Sequence, residues 1–361
     1  MSVITCISRA PDPLEQALKL ADACGCPPRT LKSAWDSEFG LIEKLTATPV
    51  EPKNLTASVL KVGPGDDAAL LKTIARPVVT TDTQHENVHF RQGWQAWDQI
   101  GEKAVAVTFS DLAAAYARPV GLFVNLSIPS YMADADMEAV YAGIRRGLET
   151  YAAVLGGGNI SAGREFSLDL FALGDGHPEI FPLRSNARPG WGLYVTGPLG
   201  LARAGLVCLK KKDLSYPALI EKFIRPVARF DAAEILANHK VTCVMDISDG
   251  LAGDAGHMAR ASQVTIKFDV SACYMDSVFG AFCGKYQKNP EIMMLAGGED
   301  YELLFACPSE IFEQIKKEWP LACQVGVCEP FSGRFLENCL EAALPFQHGF
   351  RHDKANKGEQ K

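Results

Sequence analysis

The chain has 361 residues, 47% hydrophobic and 22% charged, with a net charge of −7. That length and composition make room for two domains with separate cores and exclude disorder as the dominant state. No apolar run reaches the roughly 18 residues of a membrane span. The opening residues lack the basic start of a signal peptide, and 36 Lys+Arg against 43 Asp+Glu leave no basic excess for nucleic acid. Eleven Cys, an odd and scattered count, argue against a disulfide framework and for a reduced, cytoplasmic protein.

Residues 1–35 read as an accessory helical extension, amphipathic from Leu14 through Ala21 and closed by Gly25 and Pro27-Pro28. Cys24 and Cys26 lack a companion pair, so a helix C-cap is a better reading than zinc. A short helix follows Ser37. Strand-like stretches then flank Gly63-Pro64-Gly65-Asp66-Asp67, and a β-branched run from Pro77 ends at Asp82. The pattern predicts a helix over 98–117 capped by Asp98, and a buried-type strand over 120–128. Met137, Val140, Tyr141, Ile144, Leu148 and Tyr151 mark a helix stopped by Gly156-Gly157-Gly158, and Phe166, Leu168 and Leu170 alternate as a strand. After a turn at Asn186-Ala187-Arg188-Pro189-Gly190 come a strand over 193–196, a helix from Leu201, a strand over 241–245, a helix over 251–261 and a strand over 301–306. Helices and strands mix without strict βαβ alternation, which predicts an α+β fold. The expected divisions are 1–35, 36–187, 188–350 and a polar tail, 351–361.

Five acidic clusters sit beside Gly, Ser or Thr at strand ends or loops: Asp66-Asp67, Thr80-Thr81-Asp82, Ser110-Asp111, Asp246-Ile247-Ser248-Asp249-Gly250 and Glu299-Asp300. Carboxylates without His or Cys partners suit hard cations such as Mg²⁺, commonly shared with a substrate's phosphates. Each also has a plain structural reading. Asp66-Asp67 fits a turn, Asp82 a strand end and Ser110-Asp111 an N-cap for the residues after it. Asp246 and Asp249 fit caps for the helix from Leu251, and Glu299-Asp300 a turn into a strand. The Walker loop, the G-x-S-x-G elbow and the protein-kinase motifs are absent. His85 and His89 are four apart but lack the Glu of a zinc-protease helix.

The ordered set of motifs resembles the thiamine-monophosphate kinase family of the AIR synthetase-like superfamily. It comprises Gly65-Asp66-Asp67-Ala68-Ala69; Thr81-Asp82 with Glu86-Asn87-Val88-His89-Phe90; Lys103-Ala104-Val105-Ala106-Val107 leading to Ser110-Asp111-Leu112; Ala187-Arg188-Pro189-Gly190; Asp246-Ile247-Ser248-Asp249-Gly250-Leu251; and Gly297-Gly298-Glu299-Asp300-Tyr301-Glu302-Leu303-Leu304-Phe305. It runs from about Glu38 to Phe350. The resemblance implies a two-domain α+β protein whose first domain pairs in a homodimer to close a shared β-barrel, with an α/β sandwich-type second domain. It implies transfer of the ATP γ-phosphoryl group to thiamine monophosphate without a covalent enzyme intermediate, assisted by several Mg²⁺ ions. Asp66, Asp67, Thr80, Thr81, Asp82, Asp111, Asp246 and Asp249 then resemble metal ligands or their neighbours, with Asp67, Asp111 and Asp249 as the catalytic carboxylates. Gly158, Arg184 and Ser248 resemble ATP contacts, and His89 and Glu299 contacts to thiamine monophosphate. An aromatic in the segment 346–350, with Phe350 the favoured one, would pack on the substrate; a plain core aromatic is the equal alternative for Phe350.

Asn159 stands where the family has a metal-binding Asp, and it is assigned to both the metal and the ATP end. Asn keeps a carbonyl oxygen but removes one negative charge. Ile160-Ser161-Ala162 also departs from the family's usual Thr-Thr-Arg. A non-catalytic or diverged paralogue that binds nucleotide or thiamine phosphate is therefore the alternative. Selenophosphate-synthetase and hydrogenase-maturation readings lack the reactive Cys they need.

Overall fold

The computed structural model describes residues 59–64, 68–271, 273 and 276–339. The accessory unit 1–35, the helix after Ser37, Asp66, Asp67, Phe350 and the tail 351–361 lie outside those residues.

Short strands β1 (Leu60–Val62) and β2 (Leu70–Leu71) pair antiparallel. The first large sheet is built from β3 (Pro77–His85), β4 (Ala117–Pro129), β5 (Val154–Gly163) and β6 (Ser167–Gly176), in the order β3-β6-β4-β5. Only β4 and β5 run parallel within it. Along β6, Leu168, Leu170 and Ala172 are buried while Asp169 and Phe171 are exposed, the period-2 signature of a sheet covered on one face. Helices α1 (Trp97–Ala114) and α2 (Asp134–Thr150) form that cover.

The helix predicted over 98–117 starts earlier and ends earlier. Ala96 occupies the cap position and its N–H meets Gln99 Oε1 at 2.8 Å. Asp98 lies inside the first turn, bonded to Arg146 of α2 at 2.7 Å. The chain leaves the helix at Tyr116, whose φ of 55° is left-handed, so β4 already includes Pro119. Gly156-Gly157-Gly158 does not stop α2; it lies within edge strand β5, after α2 has ended at Thr150. Sequence periodicity misjudged this stretch because a glycine run carries no side-chain pattern. The two helices approach closely enough that a Cβ on Gly101 would lie 2.0 Å from Val140 O, and one on Gly143 1.8 Å from Asp98 O. Only glycine fits that seam.

The second sheet comprises β7 (Gly192–Val195), β8 (Cys243–Asp246), β9 (Val264–Phe268), β10 (Leu303–Cys307), β11 (Cys323–Pro330) and β12 (Leu336–Glu337). Their order is β12-β9-β11-β7-β10-β8, antiparallel except for β12 beside β9. Helices α3 (Leu201–Lys211), α4 (Pro217–Ile224), α6 (Leu251–Ser262), α7 (Ser277–Tyr286) and α8 (Pro290–Ala296) share a core with Leu193, Val195, Met245, Leu304 and Ala306. The alternate residues Tyr194, Val244, Leu303 and Phe305 face α5 (Phe230–Asn238), α9 (Ser309–Glu318) and the end of α1. Burial on both faces explains why β7 and β10 are continuously apolar. The fold is thus α+β, with two sheets joined through α1. The four-stranded sheet is open within this chain, and no closed barrel is formed among the described residues.

Candidate active site

Helix α1 is buried almost all round, including Lys103, Thr108 and Ser110, because the first sheet, α2 and the second domain surround it. Its polar groups therefore face neighbours that must answer them. Thr80 of β3 donates Oγ1–H to Asp111 Oδ2 at 2.5 Å, and Ser110 Oγ–H donates to Asp246 Oδ2 at 2.8 Å. The Ser110-Asp111 pair is therefore not an N-cap but the last turns of a helix, joining β3 of one domain to β8 of the other.

The carboxylates brought together there resist ionisation. Burial raises Asp82 to about 6, helped by repulsion from Asp111 and Glu299 and opposed by the Thr83 N–H, which donates to Asp82 at 2.6 Å. Asp111 reaches solvent, yet the protein crowding around it raises its carboxyl, while the Thr80 hydrogen bond and the Arg184 charge pull it down. Asp246 is raised by burial and then by Asp111. Carboxylates crowded in this way favour the protonated form unless a positive charge comes beside them. Every donor in the set is oxygen, so a hard divalent ion fits it and a thiophilic one does not. Among the described residues, no three His, Cys, Asp or Glu side chains already stand close enough to hold a metal.

The loop after β8 is organised by a residue with no role in the sequence expectations. Asp254, 4% exposed, accepts the backbone N–H groups of Ser248 and Asp249, each at 3.1 Å. Burial and the charges of Asp246 and Asp249 raise its carboxyl strongly. Asp246 and Asp249 do not cap α6; Gly250 holds the cap position without a side-chain bond. The Glu299 N–H donates to Ser248 O at 2.8 Å, tying the 297–302 loop to this one. Asp300 accepts N–H groups from Gly200 and Ala202 at 2.7 and 3.1 Å, so it caps α3 from a distance and β10 begins only at Leu303. Glu302 is gripped by Arg229 at 2.9 and 2.5 Å and by Thr196 at 2.7 Å.

Other expected residues stand apart. Thr81 alternates with Thr80 and is exposed on the opposite face of β3, beside Phe171. Gly158 and Asn159 are exposed on β5, three strands from β3 and so about 14 Å away. His89 follows β3, its Nδ1 accepting the His85 N–H at 2.9 Å. The Lys103–Glu299 pair, 2.6 Å, was not singled out from sequence, because nothing local links residues 196 apart. An 860 Å³ cavity lies toward the other end of α1, lined by Gln95, Trp97, Ile100 and Tyr131.

Residues 65–175 match the family model of the AIR synthase related protein N-terminal domain, and residues 188–330 match that of its C-terminal domain. A thiamine-monophosphate kinase of Aquifex aeolicus is 35% identical over 76% of this chain and 86% of its own length. The solved structure of AaThiL complexed with AMPPCP and TMP is 33% identical, with a TM-score of 0.66 over 84% of this chain and 94% of that one. The crystal structure of thiamine-monophosphate kinase from Stenotrophomonas maltophilia K279a is 28% identical, with a TM-score of 0.72 over 83% and 96%. With both domain models matched in order and the acidic loops meeting between the two domains, this chain belongs to the thiamine-monophosphate kinase family.

Proposed function

We propose that this chain transfers the γ-phosphoryl group of ATP to thiamine monophosphate, giving thiamine diphosphate and ADP. The observation that carries this is the approach of Asp82, Asp111 and Asp246 near enough to repel one another at the junction of two domains, with Thr80 holding Asp111 and Ser110 holding Asp246. The relative AaThiL, solved with AMPPCP and TMP, supports the same pair of substrates.

The acceptor is a phosphate monoester, mostly ionised at pH 7 because its second pKa is about 6. No residue has to remove a proton from it, so no general base is required of the converging carboxylates. What remains is to bring two polyanions together and hold them in line. Mg²⁺ suits the oxygen-only donor set, with Asp82, Asp111, Asp246 and Asp249 to hold it and Asp66 and Asp67 as further candidates. Its chemistry there is neutralisation of phosphate charge. Thr80 and Ser110 fix the rotamers of Asp111 and Asp246, Arg184 supplies a positive charge near Asp111, and Asp254 shapes the Ser248-Asp249 backbone. Glu299, His89 and Phe350 are assigned to the acceptor, and Gly158, Asn159 and Ser248 to the nucleotide.

The working unit proposed is a homodimer that joins the uncovered faces of two four-stranded sheets into one barrel. Val79 and Phe171 are 57% and 41% exposed on that face, more apolar surface than a lone sheet gains by showing to water. Domain limits of 36–187 and 188–350 and a cytoplasmic location complete the proposal.

Asn159 favours the second reading, a binding protein without turnover. ³¹P NMR of the protein with ATP, thiamine monophosphate and a Mg²⁺ series separates the two. Thiamine diphosphate is expected from the wild type, and from Asp111→Ala only at a rate roughly 10²–10³-fold lower. Nucleotide binding with no product at any Mg²⁺ level would replace the kinase by the binding protein.

A further inference from the structure

We infer that Lys103 is a positioning residue for the acceptor substrate, holding Glu299 in place across the domain junction. This rests on the proposed kinase function, in which Glu299 contacts thiamine monophosphate. The Lys103 side chain is 4% exposed, and its Nζ lies 2.6 Å from Glu299 Oε2 and 3.7 Å from the centre of the Phe223 ring. A buried ammonium is costly unless paired, and apolar replacement of such a pair is often neutral for stability. Stability alone therefore does not account for a lysine here, whereas fixing a carboxylate does.

Glu299 needs fixing. Its φ of 68° and that of Tyr301, 50°, are left-handed in residues other than glycine. The backbone is tied down by Glu299 N–H to Ser248 O at 2.8 Å and Tyr301 N–H to Ile247 O at 2.9 Å. Those bonds leave the Glu299 side chain to rotate, and Lys103 anchors it to the first domain. Lys103 and Ser110 are seven residues apart, two turns along one face of α1 and about 10 Å in rise. Each grips one carboxylate from the second domain, Glu299 or Asp246. The helix thus separates two tasks. Ser110 serves the phosphoryl end and Lys103 the acceptor end.

Lys103→Met keeps the stem over Phe223 and removes the charge. The expected result is a KM for thiamine monophosphate raised roughly tenfold, the loss of one charge-assisted hydrogen bond, with the KM for ATP within about twofold. In a Glu299→Gln background the same substitution should add little, because both act through one contact. Equal shifts in both KM values, an unchanged acceptor KM, or full additivity with Glu299→Gln would overturn the inference. Should Lys103→Met not fold, Lys103→Arg carries the same comparison, since it alters the geometry of the pair while keeping its charge. Calorimetric titration of the full chain with thiamine monophosphate, in the presence of a non-hydrolysable ATP analogue, reads the acceptor affinity without turnover. A wild type that makes no thiamine diphosphate would refute the kinase reading alone, while the titration still decides the role of Lys103.

Discussion

The two faces of the four-stranded sheet are made by the same strands and do opposite things. On the face toward α1, β3 presents Thr80 and Asp82, and the first meets Asp111. On the other face the same strand presents Val79 and Thr81, with Phe171 across from Thr81 and Phe123 against Phe171 at 6.1 Å between ring centres. One face gathers carboxylates under a buried helix, where charge is concentrated. The other mixes apolar Val79, Phe123 and Phe171 with polar Thr81 and Asp169 and is uncovered in a single chain. A shift of one residue in strand register would exchange them, since side chains alternate with period 2.

The largest expected effect breaks the charged face. Asp111→Ala should lower kcat by roughly 10²–10³-fold while the melting temperature stays close to wild type, because a preorganised electrostatic group is lost from a solvent-reached position. Turnover in the ³¹P assay and a thermal melt check both halves. Next, the uncovered face is tested by Phe171→Asp, placing a charge in the proposed interface. Light scattering should move from dimer to monomer, and a wild type already monomeric at tens of micromolar would remove the barrel proposal.

A third, smaller effect concerns pH. Asp82, near 6, and Asp246 and Asp111, also raised, keep protons in the folded state that the unfolded chain, near 3.9, gives up. With chelator present, their contribution is full below about pH 4 and lost as pH rises through about 6 for Asp82 and about 7 for Asp246. The melting temperature should therefore carry a negative slope over that window, flattened in Asp246→Asn. A slope unchanged by Asp246→Asn would mean that the cluster is not repulsive. The smallest change is Asn159→Asp, which should lower the Mg²⁺ concentration for half-maximal rate several-fold; an unchanged requirement would show that the missing charge is immaterial.

Much of the secondary structure was legible because it repeats. Met137, Val140, Tyr141, Ile144 and Leu148 mark α2, and all five are buried. Element ends were less legible. Asp98 has the chemistry of a cap but pairs with Arg146 instead, and Gly156-Gly157-Gly158 looks like a stop yet forms part of an edge strand. Within the site, the acidic loops were visible as carboxylates beside Gly, Ser and Thr. Asp254 was not, although it lies four residues past Gly250, because its bonds are to backbone N–H groups that leave no mark in sequence.

The sequence by itself determined the kind of donor, oxygen without imidazole or thiolate, and the order in which the acidic motifs occur. Tertiary structure decided which of them meet. Thr80 rather than Thr81 reaches Asp111 because of strand alternation, and Lys103 finds Glu299 because two domains close on one buried helix. Local chemistry is written residue by residue, whereas a contact between positions 196 apart exists only once the chain has packed.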